Sequence, residues 1–317
     1  MDKLQNSLNY FLQQLNENEQ GLSSSKDKAL PEHHAAENEL VLNKNHLLDI
    51  VHVLQQKVTA LTLILNENPS KSTALDNTAK EIEDYAQLLT TFVTDIPKTI
   101  GRSLKRHVVY ISQDLIKSIL GLVDLYFVGD GGDFKAKVGI IWEHCKAFES
   151  METKNTVYVG SIITDVIEML NDGASEMQDL MDGVGFGDEE PVVLNNIEKE
   201  WMNQCQILIK TNILCLKRSI SLLNEVPSTE YWIESAELLY SIANQSCAKS
   251  DDMVSCMDIP LDLEDEFLRE SVSDLNNCCL EILKLIRKME RDNDKSQKWS
   301  DLCERKLTDL TEAMNNL

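Results

Sequence analysis

Apolar residues recur every three or four positions along most of the chain, and this spacing places them on one face of an α-helix. Alternation of apolar and polar residues, the pattern of a half-buried β-strand, is missing from the sequence. The first apolar face is short and consists of Leu4, Leu8, Phe11, Leu12 and Leu15. We therefore predict an all-α protein that begins with a short amphipathic helix.

The second predicted helix carries the most regular apolar face. Its members are Leu40, Leu47, Val51, Leu54, Val58, Leu61 and Leu65, and the later steps alternate between four and three residues. This seam is typical of a helix that packs along its length against antiparallel neighbours. Proline and glycine delimit the helices that follow, at Pro97, Gly129–Asp133, Pro227 and Pro260. The chain thus predicts six helices before residue 183 and four after residue 191, arranged as antiparallel up-and-down bundles of long helices.

A break in the helical pattern at residues 183–191 marks the predicted domain boundary. The segment Gly183-Val-Gly-Phe-Gly-Asp-Glu-Glu-Pro191 holds three glycines, three acids and a proline, and no glycine follows Gly187. We predict an N-terminal bundle over residues 1–187 and a C-terminal bundle over residues 188–317. A polar tract after the first helix predicts a flexible linker over residues 21–36. The first helix could therefore detach or exchange with that of another copy, and deletion of residues 1–28 is expected to leave a folded protein.

The chain is strongly acidic. Its 317 residues contain 53 Asp and Glu against 30 Lys and Arg, a formal net charge of −23. This balance argues against a nucleic-acid-binding protein, because contacts to phosphate require clustered cations. No apolar run approaches 18 residues and the N-terminus does not have the form of a signal peptide. We therefore expect a soluble intracellular protein without membrane insertion.

The sequence offers no catalytic, cofactor-binding or metal-binding motif. The glycine-rich turns that begin at Gly129 and Gly183 follow predicted helices, and acidic residues come after both of them. Both turns also lack the Lys and the Ser or Thr of a phosphate-binding loop. His144 and Cys145 are adjacent on a helix and point about 100° apart, so they do not form a nucleophile–base pair. The eight cysteines contain no C-x-x-C pair, and no histidine spacing completes a metal site. We predict a non-enzymatic protein with no cofactor, no metal ion and no small-molecule substrate.

Acidic residues are concentrated in one stretch of the chain. Between Lys154 and Lys199 there are ten acidic residues and no Lys or Arg. The acidic triplet Asp188, Glu189 and Glu190 is a candidate contact for a basic partner, which such a surface attracts over a long range. A solubilising surface is the alternative interpretation of the same stretch.

A small basic cluster, Arg102, Lys105 and Arg106, lies at the start of a predicted helix. Cations at a helix N-terminus oppose the helix dipole, which indicates that they have another use. We predict that this cluster contacts an acidic partner or the acidic half of the chain. The leucine seams also permit pairing with a partner's helix, although most such faces form the interior of their own protein.

Several segments occur in the order in which a known family carries them. They are Ile141-Trp-Glu-His-Cys145, the long helix from Asn155 to Met181 with its acidic Glu176-Met-Gln-Asp-Leu180 stretch, the acidic loop at 187–190, Trp201 followed by Leu214-Cys-Leu-Lys-Arg218, and Asp251-Asp252 ahead of Ile259-Pro260. On these segments the chain resembles the cyclin-D-binding protein family. The resemblance covers residues 100–317, and residues 1–100 follow the family in helical pattern alone.

The resemblance implies an all-helical, two-domain protein without enzymatic activity, whose bundles are similar to those of vinculin and α-catenin. It further implies binding to D-type cyclins and helix-loop-helix transcription regulators, negative regulation of cell-cycle progression, and a location in both cytoplasm and nucleus. The alternative is a structural adaptor of the vinculin or α-catenin type that links cytoskeletal or trafficking components.

Replacement of Asp188, Glu189 and Glu190 by lysine is expected to weaken binding of a basic partner without lowering the melting temperature, because these residues are predicted to lie in a surface loop. Titration calorimetry at two salt concentrations, together with a thermal melt, measures both quantities. Unchanged affinity in the triple variant would remove the triplet from the binding surface.

Overall fold

The computed structural model describes residues 1–23, 40–67, 73–128, 134–183, 194–257, 260–290 and 294–315. Within these ranges the chain forms ten α-helices, one short 3₁₀ turn at Lys98–Ile100 and no β-strand, which confirms the predicted all-α class. The helices are α1 (Asp2–Ser23), α2 (Lys44–Glu67), α3 (Thr73–Asp95), α4 (Arg102–Val128), α5 (Phe134–Ser150), α6 (Asn155–Met181), α7 (Asn196–Glu225), α8 (Glu230–Ser255), α9 (Glu266–Met289) and α10 (Asp294–Asn315).

The described chain divides into two compact units. The first comprises Met1–Asn155 with Ser228–Ile233, and the second comprises Thr156–Pro227 with Glu234–Leu317. The division therefore falls at the first residue of α6. The boundary predicted between residues 187 and 188 lies outside the described residues and stays a prediction.

Helices α1 to α5 of the first unit pack as a closed ring. Going around it, α1 contacts α3, α3 contacts α2, α2 contacts α5, α5 contacts α4, and α4 returns to α1. Each helix turns its apolar face inward, as the sequence pattern predicts. The fully buried side chains that fill the ring include Leu8, Leu54, Ile82, Leu115 and Phe148.

Helix α1 is a full member of this ring. Leu4, Leu8, Leu15 and Leu22 are at most 2% exposed, and Ser7 Oγ donates a hydrogen bond of 2.9 Å to Glu83 on α3. The expectation of a detachable first helix is therefore wrong, because its apolar face fills the space between α3 and α4. The helix also continues to Ser23, so the first three residues of the predicted 21–36 linker are helical, and residues 24–36 lie outside the described part of the chain.

One helix among the described residues, Lys44–Asn66 within α2, is long and apolar enough to cross a membrane by length and composition. The core helix of a water-soluble bundle satisfies the same two criteria. In this structure Leu47, Val51, Leu54, Val58 and Leu61 are fully buried, and α2 packs against α3 and α5. The apolar character of α2 is thus explained by the face that it buries as a member of the ring.

The second unit is organised around α7, which packs against α9 and α10, while α9 and α10 also pack against each other. Helix α6 is tied to α7 by Gln206, whose Nε2 donates to the backbone oxygen of Ala174 at 3.0 Å. An ion pair between Arg218 on α7 and Glu290 holds the end of α9. Both apolar packing and a few specific polar contacts therefore hold the helices of this unit together.

Glu198 fixes the entry into the second unit's longest helix. Asn195 and Glu198 form a reciprocal cap at the start of α7, and Glu198 Oε2 accepts from the Asn195 backbone N–H at 2.7 Å. The other carboxylate oxygen of Glu198, Oε1, accepts a hydrogen bond of 3.0 Å from the Leu261 backbone N–H. Glu198 is one of the ten acidic residues between Lys154 and Lys199, but it is buried and holds the segment before α9 against α7.

Leu216→Ala on α7 or Ile282→Ala on α9 is expected to lower the free energy of unfolding by about 2–5 kcal/mol, because truncation of a fully buried side chain leaves a cavity. Leu214→Ala is the matched control, since Leu214 lies on the same helix and is 53% exposed. Urea denaturation of the three variants measures the difference. A cost below about 1 kcal/mol at Leu216 and Ile282 would be inconsistent with their burial.

Deletion of residues 1–23 is expected to abolish cooperative unfolding of the first unit. The four buried leucines of α1 each contribute about 1.5–3 kcal/mol, and their sum is comparable to the about 5–15 kcal/mol that stabilises a whole domain. Circular dichroism melts of the full and shortened chains test this. An unchanged melting temperature would show that α1 is dispensable.

Candidate protein-binding surfaces

An apolar groove of ≈ 890 Å³ lies on the first unit, between residues 40–46 and the second half of α3. Its apolar lining consists of Leu40, Val41, Leu42, Leu88, Phe92, Ile96, Pro97 and Ile100. Asp84 and Asp95 are the acidic residues of the lining, and no Lys or Arg belongs to the part that the structure describes. The groove thus combines an apolar floor with negative charge at its edges.

The first wall is a non-helical segment that backbone hydrogen bonds hold in place. The Leu40 N–H donates to the Ser228 oxygen at 2.8 Å, and the Leu42 N–H donates to the Thr153 oxygen at 2.9 Å. Leu42 is buried, whereas Val41 beside it is 46% exposed, and both side chains line the groove. The wall is therefore formed before any partner binds.

The start of α2 is fixed against the end of α5 by a lysine. Lys44 Nζ donates to the backbone oxygens of Glu149 at 2.6 Å and of Met151 at 2.7 Å. Glu149 lies in the last turn of α5 and Met151 directly follows the helix, where carbonyl oxygens have no partner within the helix. Lys44 thereby satisfies them and holds the first wall in place.

Helix α3 supplies the second wall with side chains that the ring does not bury. Leu89 and Val93 point into the ring and are fully buried, whereas Leu88 is 49% exposed. Leu88 and Phe92 are four residues apart, so they lie one above the other on the groove side of α3. The Phe92 ring also contacts the ring of His46 on α2, with 5.4 Å between their centroids. The groove is lined by a second apolar face of α3.

The end of the groove depends on Lys105, one of the three residues of the basic cluster predicted to contact a partner. Lys105 is only 4% exposed, and its Nζ donates to the backbone oxygens of Thr94 at 3.0 Å and of Ile96 at 2.5 Å. Burial lowers the pKa of Lys105, and the charge of Lys98 acts in the same direction. The side chain therefore caps the carboxyl end of α3 and is not part of an exposed basic surface.

The other members of that cluster remain nearer the surface. Arg102 and Arg106 are half-buried on the first turns of α4, and the structure gives both of them interactions within the protein. Their predicted contact with an acidic partner stays a prediction.

The connection from α3 to α4 is fixed by a close approach to Asn155. Gly101 adopts φ = 111°, and a Cβ at this position would come within 2.2 Å of Asn155 Cγ. Asn155 Oδ1 accepts from the Leu104 backbone N–H at 3.2 Å, which satisfies a donor in the first turn of α4. Glycine is therefore required here, both for the left-handed backbone and for space.

A separate acidic stripe runs along α6. Its members are the exposed residues Asp165, Glu168, Asp172, Glu176, Asp179 and Asp182, which recur every three or four positions. The part of the stripe on α6, from Asp165 to Asp179, is about 21 Å long, and Asp182 follows the last residue of the helix. Asp188, Glu189 and Glu190, the acidic triplet predicted from the sequence, lie outside the described residues, so the predicted role of the triplet stays a prediction.

The structure places the thiol of the His144–Cys145 pair in the protein interior. Cys145 is 2% exposed, and burial together with the charge of Glu149 raises the pKa of its thiol to about 12. A thiol in this state is not a nucleophile at neutral pH. Among the described residues no group of three or more His, Cys, Asp or Glu side chains has the arrangement of a metal site.

An all-helical fold with a preformed apolar groove, an acidic edge and an acidic helix face is typical of proteins that bind other proteins. Residues 46–183 match the family model described as Grap2 and cyclin-D-interacting, N-terminal. Over residues 46–183 this match supports the resemblance found in the sequence. A search of curated proteins found no match.

Sequence reasoning did not find the groove. The available signal was the pair Leu88 and Phe92, which stands beside the main apolar stripe of α3 and between Asp84 and Asp95. A helix with two adjacent apolar faces buries one and leaves the other for a further contact. The first wall carried no comparable signal, because residues 40–43 are held in place by long-range backbone hydrogen bonds.

Proposed function

We propose that this chain is a non-enzymatic regulator that binds a D-type cyclin through the groove between residues 40–46 and α3. The family match carries this proposal, since the matched residues 46–183 include α3, most of α2 and the acidic stripe of α6. The proposal also includes binding to helix-loop-helix regulators, negative regulation of cell-cycle progression, and action in both cytoplasm and nucleus. They rest on the resemblance of the sequence to the cyclin-D-binding family.

The chemistry of the groove favours an amphipathic helix as the bound element. Val41, Leu88 and Phe92 offer an exposed apolar surface to side chains spaced three or four residues apart on a partner helix. Asp84 and Asp95 then favour Lys or Arg at the edges of that helix, because opposite charges at the rim of an interface select the partner and its orientation.

The acidic stripe of α6 supports the proposal in a different way. Six exposed carboxylates without an intervening Lys or Arg produce a negative potential that extends about 8 Å at physiological salt. Such a field increases the association rate of a basic partner more than it increases affinity. Binding to the chain is therefore expected to become slower as salt is added.

Leu88→Glu is expected to lower affinity for a D-type cyclin by at least about tenfold, which corresponds to about 1.4 kcal/mol. The substitution places a charge in the apolar groove beside Asp84, and Leu88 is exposed enough for the fold to tolerate it. Leu63→Glu is the matched control, since Leu63 on α2 is 58% exposed and does not line the groove. Titration calorimetry with the purified full chain measures both affinities.

Equal loss of affinity in both variants, or in neither, would contradict binding in the groove. Absence of any interaction between the unmodified chain and D-type cyclins would overturn the proposed function itself. A pull-down that recovers actin-linked or vesicle proteins in place of a cyclin would instead support the adaptor alternative.

A further inference from the structure

A cavity of ≈ 180 Å³ lies in the second unit between α7, α9 and α10. Trp201 and Leu208 on α7 and Leu310 and Met314 on α10 form its apolar walls, and all four side chains are buried. An engineered apolar cavity of about 150 Å³ holds one benzene molecule. The space between the three helices is therefore large enough for a single ring, and it is too small for a drug-sized molecule.

Helix α9 contributes polar side chains to the same cavity, among them Arg269 and Asn276. These two residues are seven positions apart, so they lie on one face of the helix, about 10.5 Å apart along its axis. Arg269 lies in the first turn of α9 and is exposed, whereas Asn276 lies two turns further along and is half-buried. The cavity thus has a cation at its open end and an amide deeper inside.

The amide oxygen of Asn276 is a buried acceptor that receives no hydrogen bond from the described residues. Leaving such an acceptor without a donor costs free energy, and most buried polar atoms in folded proteins therefore have a partner. Because Asn276 lines the cavity, a hydroxyl or N–H group of a molecule bound there can supply the donor.

The guanidinium of Arg269 is held at the cavity but is not neutralised. Its Nε donates to the Leu263 backbone oxygen at 2.7 Å, and no ion pair joins it to an acidic side chain of the described residues. Asp265, one turn earlier, instead accepts hydrogen bonds from backbone N–H groups at the start of α9. The other N–H groups of Arg269 can therefore bind a carboxylate, which fits the planar guanidinium.

We propose that this cavity binds a small aromatic carboxylic acid with one ring and a hydroxyl group opposite the carboxylate. The ring packs among Trp201, Leu310 and Met314, the hydroxyl donates to Asn276 Oδ1, and the carboxylate accepts from Arg269. A rigid ring spans the two polar groups with less loss of conformational freedom than a flexible chain of the same length. No covalent bond is formed or broken, so the molecule is a ligand and not a substrate.

The acidic balance of the chain makes the contact with Arg269 decisive. At a net charge of −23 the protein as a whole repels an anion, and a close pair with a guanidinium is what favours one at this position. Loss of the positive charge at residue 269 is therefore expected to affect an acid strongly and an uncharged ring compound little.

An NMR titration of the purified full chain, with ¹³C-labelled methionine methyl groups, tests the proposal with 4-hydroxyphenylacetate. The expected result is a saturable shift of the Met314 signal, assigned with Met314→Leu, while the signal of Met151 in the first unit stays in place. Phenylacetate lacks the hydroxyl and 4-methylphenol lacks the carboxylate. Each is expected to bind at least about tenfold more weakly, because it leaves one polar group of the site unpaired.

Two variants separate the Arg269 contact from a general effect of charge. Arg269→Gln is expected to lower the affinity for 4-hydroxyphenylacetate at least about tenfold and to leave that for 4-methylphenol unchanged. Arg305→Gln is the matched control, because Arg305 is an exposed arginine on α10 that does not line the cavity.

The three compounds decide the matter on the unmodified chain even if a variant does not fold. Absence of a saturable Met314 shift at millimolar 4-hydroxyphenylacetate would overturn the proposal. Equal affinity for all three compounds, or an equal loss of affinity in Arg305→Gln, would overturn it as well. The cavity lies in the second unit, so the outcome does not depend on whether the groove of the first unit binds a cyclin.

Discussion

Burial of leucine-rich helix faces is the constraint on which both units depend. In the first unit five helices close a ring, and each helix can bury one face there. Helix α3 has more apolar surface than the ring accommodates, because Leu89 and Val93 fill the interior while Leu88 and Phe92 remain on the outer side. The proposed binding groove is thus a consequence of how the core packs, since the same helix that closes the ring presents the second apolar face.

A few buried polar side chains fix the segments between the helices. Lys105 caps the end of α3, Asn155 supplies an acceptor at the start of α4, and Glu198 joins the start of α7 to the segment before α9. Burial of such groups costs free energy unless they are hydrogen-bonded, and each of these side chains accepts or donates to the backbone. The hydrogen bonds of Lys105 fix the end of α3, which forms one wall of the groove, so binding there would require little additional ordering of this wall.

The sequence was sufficient to predict the helices, but it was not sufficient to predict the long-range contacts between them. The 3.6-residue periodicity and Pro97 located the end of α3, and the periodic leucines identified the buried faces. The docking of α1 could not be predicted, because its apolar face looks the same whether it packs internally or binds another protein. The burial of Lys105 was equally hidden, since it depends on the carbonyl end of α3 meeting the start of α4. The groove required knowledge of which face of α3 the ring would bury.

Hydrogen–deuterium exchange of the full chain, with and without a D-type cyclin, tests the central claim most directly. If the groove between residues 40–46 and α3 is the binding surface, the cyclin slows exchange in residues 40–46 and 84–100 and leaves α9 and α10 unchanged. Protection confined to helices of the second unit, with no change in those two segments, would contradict the account.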